Sequence, residues 1–125
     1  MKQINTDKAP AAIGPYSQAI DSGASLVFVS GQLPIDPATG AFPSGGVKEQ
    51  TKQSLLNAKA ILEMAGLNLS AVVKTTVFLA DMGDFAAMNE VYAQFFSAPF
   101  PARSAVAVKT LPKGALVEIE CIAAR

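Results

Sequence analysis

An α+β domain is what this sequence predicts, with two helices on one face of a sheet of about six strands. Three observations carry that expectation. Val47 to Ala65 places apolar residues at helical spacing, and a second helical run follows Asp84. The remaining apolar segments are short, rich in β-branched and aromatic residues, and bounded by Gly, Pro, Asp or Ser. Each helical run is followed by another strand pattern, and two helices can cover only one face of such a sheet. The other face still carries apolar side chains, so an oligomer that buries it is expected.

Taken in order, residues 1–15 are polar and contain Pro10 and Pro15, which predicts an irregular lead-in. Pro15-Tyr16 turns the chain into a short strand, Ser17 to Ile20, and Asp21-Ser22-Gly23 is turn chemistry. Leu26 to Ser30 reads as an apolar strand ending at Gly31, a residue that permits close approach of backbone or ligand. Pro34 to Gly46 holds three prolines and three glycines, hence a long loop or loose hairpin. In the first helix Val47, Leu55, Ala58, Leu62 and Ala65 form the apolar stripe. Lys48, Glu49, Lys52, Lys59 and Glu63 point outward, and Gly66 is the stop. Val72 to Leu79 is a strand. Asp84 is expected to cap a second helix carrying Phe85, Met88, Val91, Tyr92 and Phe95, ended by Pro99 and Pro101. Arg103 to Lys109 and Ala115 to Ala123 complete the sheet. No repeat or linker divides residues 1–125, which read as a single domain.

Composition narrows the chemistry. Ten acids balance ten bases, which leaves no electrostatic footprint for nucleic acid or an anionic membrane. The N-terminal residues form no apolar leader, and no run approaches membrane-spanning length, so a cytoplasmic protein is expected. With no histidine, any His-based triad, base or metal ligand is excluded. With Cys121 the single cysteine, so are an intrachain disulfide and a cysteine-rich zinc site.

Charge falls inside otherwise apolar strands at two places. Arg103 alternates with Ala105 and Ala107 on one strand face, and those small neighbours leave room for a ligand beneath the guanidinium. Its planar fork suits a carboxylate or phosphate, but an ordinary ion pair at a surface or interface is the competing reading. Glu118 and Glu120 share one face of the last strand, opposite Val117, Ile119 and Cys121. They form either a solvated rim or a pair in which one holds a water or moves a proton, its pKa adjusted by burial and by Arg103. Taken singly, Tyr16 and Ser30 read as core or turn hydroxyls, Asn89 as a satisfied buried amide, and Cys121 as a packed small hydrophobe. Gly45-Gly46 and Ser30-Gly31-Gln32 match neither a P-loop nor a dinucleotide fingerprint, though the former could hold an anion weakly.

Together these segments resemble the Rid family, the reactive-intermediate (imine) deaminases formerly called the YjgF family. The resemblance rests on Ala11-Ala12-Ile13-Gly14-Pro15-Tyr16-Ser17-Gln18-Ala19, Ser30-Gly31-Gln32-Leu33-Pro34, Lys74-Thr75-Thr76-Val77-Phe78-Leu79, Asn89-Glu90-Val91-Tyr92, Phe100-Pro101-Ala102-Arg103-Ser104 and Val117-Glu118-Ile119-Glu120. They run in order through nearly the whole chain. The resemblance implies a chorismate-mutase-like α+β fold with a mixed sheet, and a homotrimer with a central barrel whose ligand sites lie between subunits. It also implies hydrolysis of 2-imino acids such as 2-iminobutanoate and 2-iminopropanoate, released by pyridoxal-phosphate-dependent dehydratases, to 2-keto acids and ammonia, without cofactor or metal. That is a damage-control deaminase, a hydrolase of C–N bonds other than peptide bonds.

By motif position, the resemblance makes Arg103 the clamp for the substrate carboxylate and Glu118 the residue that positions or activates water. Tyr16 and Ser30 would line the pocket, Gly31 would offer backbone contacts, and Asn89 is a further pocket candidate. Ala105 stands where many members have cysteine, which is expected to alter packing rather than abolish activity. The segment before Arg103 also looks shorter than in some relatives. The rival readings are a non-catalytic sensor of small carboxylates, a ribonuclease or translation inhibitor, and a chaperone-like surface. The neutral charge and missing histidine count against the nuclease.

Overall fold

The computed structural model describes every residue except Pro15. That proline, expected in the turn before Tyr16, lies outside the described residues. The elements in order are β1 (Lys2–Ile4), β2 (Ala19–Asp21), β3 (Leu26–Gln32), α1 (Val47–Met64), β4 (Val72–Leu79), α2 (Phe85–Phe95), β5 (Ala102–Ala107) and β6 (Val117–Ala124). They build one six-stranded sheet in the order β1-β2-β3-β6-β4-β5. β4 and β5 run parallel, because α2 carries the chain back to the start of the sheet between them; the other neighbours are antiparallel.

The helices cover one face, where strand alternation delivers Val27, Val29, Val77, Leu79, Val117, Ile119 and Ala123 to the core. The expected stripe of α1 is buried, and Gly66, at φ +77°, follows the helix in the left-handed conformation of a C-terminal stop. The opposite face holds Ile20, Phe28, Phe78, Val106 and Ile122, and no element among the described residues lies over it. Phe28 is 44% and Val106 46% exposed there.

Two local expectations need correction. The lead-in is not wholly irregular: Lys2–Ile4 pairs with β2 as an edge strand and buries Ile4. Three residues with one inward side chain are too few to register as alternation. Asp84 stands at the start of α2, but its side chain makes no capping bond. Asp81 does that work one turn earlier, accepting from Gly83 N at 2.7 Å in a short 3-10 turn.

Polar groups on the buried side of α1 tie down the loops around the sheet. Asn57 donates to the carbonyls of Leu33 and Ile35 at 3.1 and 2.9 Å and so anchors the start of the 34–46 loop. Gln50 accepts from Leu116 N at 2.8 Å, just before β6. Asn57→Ala leaves two carbonyls without their donor and is expected to destabilise the fold by about 1–3 kcal/mol. Urea unfolding checks this: a lower midpoint at unchanged slope is expected.

Candidate functional site

Arg103 sits on β5, in register with Thr75 of β4, and so faces the helices. Phe85, Asn89 and Tyr92, spaced four and three residues apart on α2, form one stripe that meets it. The guanidinium donates to Asn89 Oδ1 at 2.7 Å, and its central carbon lies 4.6 Å from the Tyr92 ring centre and 5.5 Å from that of Phe85. Rings at these distances attract the cation through their negative faces. Tyr92 is itself fixed by a 2.8 Å hydrogen bond between its hydroxyl and Thr75 Oγ1. Burial pushes the Tyr92 phenol up, with the Thr75 bond and the Arg103 charge pulling the other way. Among the described residues no carboxylate lies within ion-pair distance of Arg103. The remaining donors border a hollow of about 380 Å³ closed by Ala93, Phe100 and Pro101. A half-buried guanidinium held by rings and one amide, without an acid of its own, is equipped to receive an anion.

Glu118 arises from the other phase of alternation. On β6, Val117, Ile119 and Cys121 enter the core while Glu118 and Glu120 point to the open face. The pairing of β3 with β6 slips between Val29 and Gln32: three steps on β3 match the two from Cys121 to Ile119. This bulge carries Ser30 and Gly31, and β3 runs on to Gln32 rather than ending at Gly31. The Glu118 side chain lies directly across Gly31, where a Cβ would stand 2.9 Å from the carboxyl carbon. A side chain at position 31 would force the Glu118 carboxyl out of this position. The close approach expected at Gly31 is therefore made by the chain's own carboxylate. Glu118 borders a hollow of about 410 Å³ shared with Ile13, Tyr16, Gly31 and Lys113. Its carboxyl is held above the usual glutamate range, first by burial and then by the charge of Glu120.

Within one chain Arg103 and Glu118 do not meet. They occupy opposite faces of the sheet and border hollows with no lining residue in common. Arg103 consequently plays no part in tuning Glu118; the charge that does is Glu120. Tyr16 and Gly31 fall with Glu118, and Asn89 falls with Arg103. Ser30 falls with neither. Its hydroxyl donates to Ser17 O at 2.6 Å, and it borders a third hollow with Glu120. Cys121 is buried, and its thiol is pushed up to about 12, chiefly by burial. The weak anion site expected at Gly45-Gly46 is already taken, since Glu49 reaches back to accept from Gly46 N at 2.8 Å. Among the described residues no group of three or more His, Cys, Asp or Glu could hold a metal ion. No helix among them is long and apolar enough to cross a membrane.

Phe85 and Tyr92 were legible as core but not as ring partners of Arg103. Their spacing with Asn89 on one helical stripe was the available signal. Lys113, at φ +58° in the turn before β6, reaches the Glu118 hollow with no sequence pattern to announce it.

Fold and geometry define a small α+β domain with a half-buried arginine, held by rings and an amide, on one sheet face and a glutamate of raised proton affinity on the other. The family model described as Endoribonuclease L-PSP matches residues 6–125. A RutC family protein, y4sK, of Sinorhizobium fredii is 59% identical over 122 residues, 98% of this chain and 96% of that protein. A 2-iminobutanoate/2-iminopropanoate deaminase of Salmonella typhimurium is 54% identical over 127 residues, 99% of this chain and 98% of that one. Among solved structures, E. coli TdcF with bound serine superposes with a TM-score of 0.95 at 51% identity, covering 100% of this chain and 99% of that one. The chain belongs to this family, the Rid or YjgF proteins that its motifs resemble.

The raised carboxyl of Glu118 has a stability consequence. Between the ordinary glutamate value of 4.5 and the higher folded value, the unfolded chain ionises first. Stability therefore falls as pH rises through that window and then levels off. Glu118→Gln is expected to flatten this part of the curve of urea midpoint against pH. Glu120→Gln should lower the Glu118 midpoint, read from its carboxyl carbon shift; an unmoved midpoint would assign the whole effect to burial.

Proposed function

We propose that the chain is a 2-iminobutanoate/2-iminopropanoate deaminase working as a homotrimer around a central barrel in the cytoplasm. Its sites would lie between subunits, with Arg103 supplied by one copy and Glu118 by its neighbour. The observation that carries this reading is the half-buried Arg103 guanidinium, oriented by Asn89 and two rings yet without an acid partner among the described residues. A substrate carboxylate would complete it. Relatives at about this level of identity that are named as deaminases support the reaction class. The serine in the TdcF structure supports a small carboxylate as the kind of ligand bound.

In the proposed reaction the guanidinium grips the carboxylate of the 2-imino acid and so fixes C2. Glu118 of the neighbouring copy holds a water against C2, and its negative charge favours the protonated iminium. The water oxygen bonds to C2 as Glu118 takes a proton from it. The same carboxyl then delivers that proton to the amino nitrogen and takes up the hydroxyl proton as the C=O bond forms and the C–N bond breaks. It passes this proton to the departing ammonia, so that the 2-keto acid and ammonium leave and the carboxylate is restored. A carboxyl raised toward the working pH exchanges protons more readily in both directions. Water adds to iminium ions unaided, so orientation plus one acid–base group supplies the acceleration required. Tyr16 and Gly31 would line the Glu118 side. Ser30 would serve it indirectly, by holding the Tyr16–Ser17 backbone. The balanced charge supplies no basic stripe for an RNA-cleaving alternative.

Threonine dehydratase can generate the imine and semicarbazide can trap it, so that an active protein lowers the yield of trapped adduct. Arg103→Ala is expected to reduce that activity about a hundredfold or more. Glu118→Gln is expected to reduce it by about 10²–10⁴. Because a heterologous ring draws each half-site from a different copy, co-assembling these two inactive variants should restore about one site in four. No recovery from verified mixed oligomers would sink the shared site.

A further inference from the structure

Residues 5–13 pass from β1 toward β2 outside any helix or strand. Among the described residues, the hydrogen bonds that tie 6–10 to the sheet all end on the side chain of Gln18. Thr6 N donates to its Oε1 at 2.7 Å, while its Nε2 donates to the carbonyls of Pro10 at 2.7 Å, Thr6 at 3.1 Å and Ala9 at 3.4 Å. The residue is only 1% exposed. Its own carbonyl accepts from Ser30 N at 3.0 Å, at the bulge that carries Gly31. One residue thus links the 5–13 strap to the strand segment over which Glu118 lies. The strap in turn supplies Pro10, Ala11 and Ile13 to the wall of the Glu118 hollow, and the same residues to an adjoining hollow of about 290 Å³.

The chemistry of the site admits few side chains. It needs one acceptor for Thr6 N and two N–H donors for the carbonyls on the other side, the inventory of a primary amide. A carboxylate there would face three carbonyl oxygens. An apolar residue would leave buried backbone groups unpaired.

We propose that Gln18 is a positioning residue for substrate binding: its buried amide sets the separation of the Pro10–Ile13 wall from Glu118, and with it the fit around the substrate's side chain. Gln18 touches no substrate. The proposal rests on the reading of the Glu118 hollow as half of the deaminase site.

The test uses the full chain carrying Gln18→Leu or Gln18→Glu. Three quantities are measured: hydrogen exchange of residues 5–13, the Kd for 2-oxobutanoate by calorimetry, and kcat and KM for imine hydrolysis. Gln18→Leu is expected to speed exchange in the strap and to raise Kd and KM about tenfold with little change in kcat, as when binding common to ground and transition states is lost. Gln18→Glu should behave likewise at neutral pH. Its strap protection and affinity, each relative to wild type at the same pH, should return as pH falls, because a protonated carboxyl again donates to Pro10 O. Asp7, Lys8, Lys113 and Glu118, the charged groups around the strap, are common to both proteins, so that comparison removes their contribution.

A purely structural role would lower the active fraction and the apparent kcat while leaving Kd and KM alone, and would overturn the proposal. So would a loosened strap with unchanged affinity, or a strap that does not loosen. Should Gln18→Leu fail to fold, the acid-dependent recovery of Gln18→Glu decides alone. A wild-type chain that binds 2-oxobutanoate but spares the imine refutes the deaminase reading, while the Kd measurements still judge Gln18. A chain that binds none overturns both.

Discussion

Strand alternation is the constraint on which everything functional here depends. Thr75, Arg103 and Cys121 stand in register across three neighbouring strands and face the helices, whereas Phe78, Val106 and Glu118 stand in register and face away. The guanidinium and the carboxylate therefore belong to opposite sides of one sheet, and no side-chain rotation brings them together. In the proposed reaction a single copy therefore carries two half-sites, each with part of the chemistry. The open face with Phe28 and Val106 exposed is where the proposed trimer would bring copies together. On the proposed reading, catalysis and assembly are one requirement rather than two.

Much of this architecture was legible in the residues. The helices announced themselves by period and by Gly66, and the longer strands by β-branched runs between turn residues. β1 was not legible because three residues give no pattern, and the bulge in β3 was not because it is a property of pairing, defined only against β6. The site was half legible for a related reason. Arg103 and the two glutamates stood out because charge interrupts an apolar strand. Phe85 and Tyr92 did not, because an aromatic that supports a guanidinium and one that fills a core obey the same helical spacing. Gln18 was invisible for want of any local signature: its partners lie eight to twelve residues back and converge only in the folded strap.

Gly31 illustrates how a correct expectation can have an unexpected agent. Close approach of backbone or ligand was foreseen from a glycine at the end of an apolar run. In the fold the visitor is Glu118, laid across the bulge so that its carboxyl is partly withdrawn from water. A Cβ at that position would push the carboxyl outward, restoring hydration and lowering its proton affinity toward the ordinary value. The glycine is thus a means of tuning an acid, acting through sterics alone.

The choice of arginine follows from the same setting. A lysine on β5 would offer a compact, strongly hydrated charge, which loses more on half-burial and cannot lie flat against Tyr92 and Phe85. The guanidinium keeps one edge on Asn89 and its face on the rings, leaving donors on the far edge in a fixed fork. Tyr92 can serve as that platform because its hydroxyl is bound to Thr75, one strand over and in register with Arg103 itself. Strand, ring and helix therefore fix the cation from three directions before any anion arrives, so little orientational entropy remains to be lost on binding. In the proposed reaction of a chain with no histidine, that preorganisation takes the place of a more reactive group.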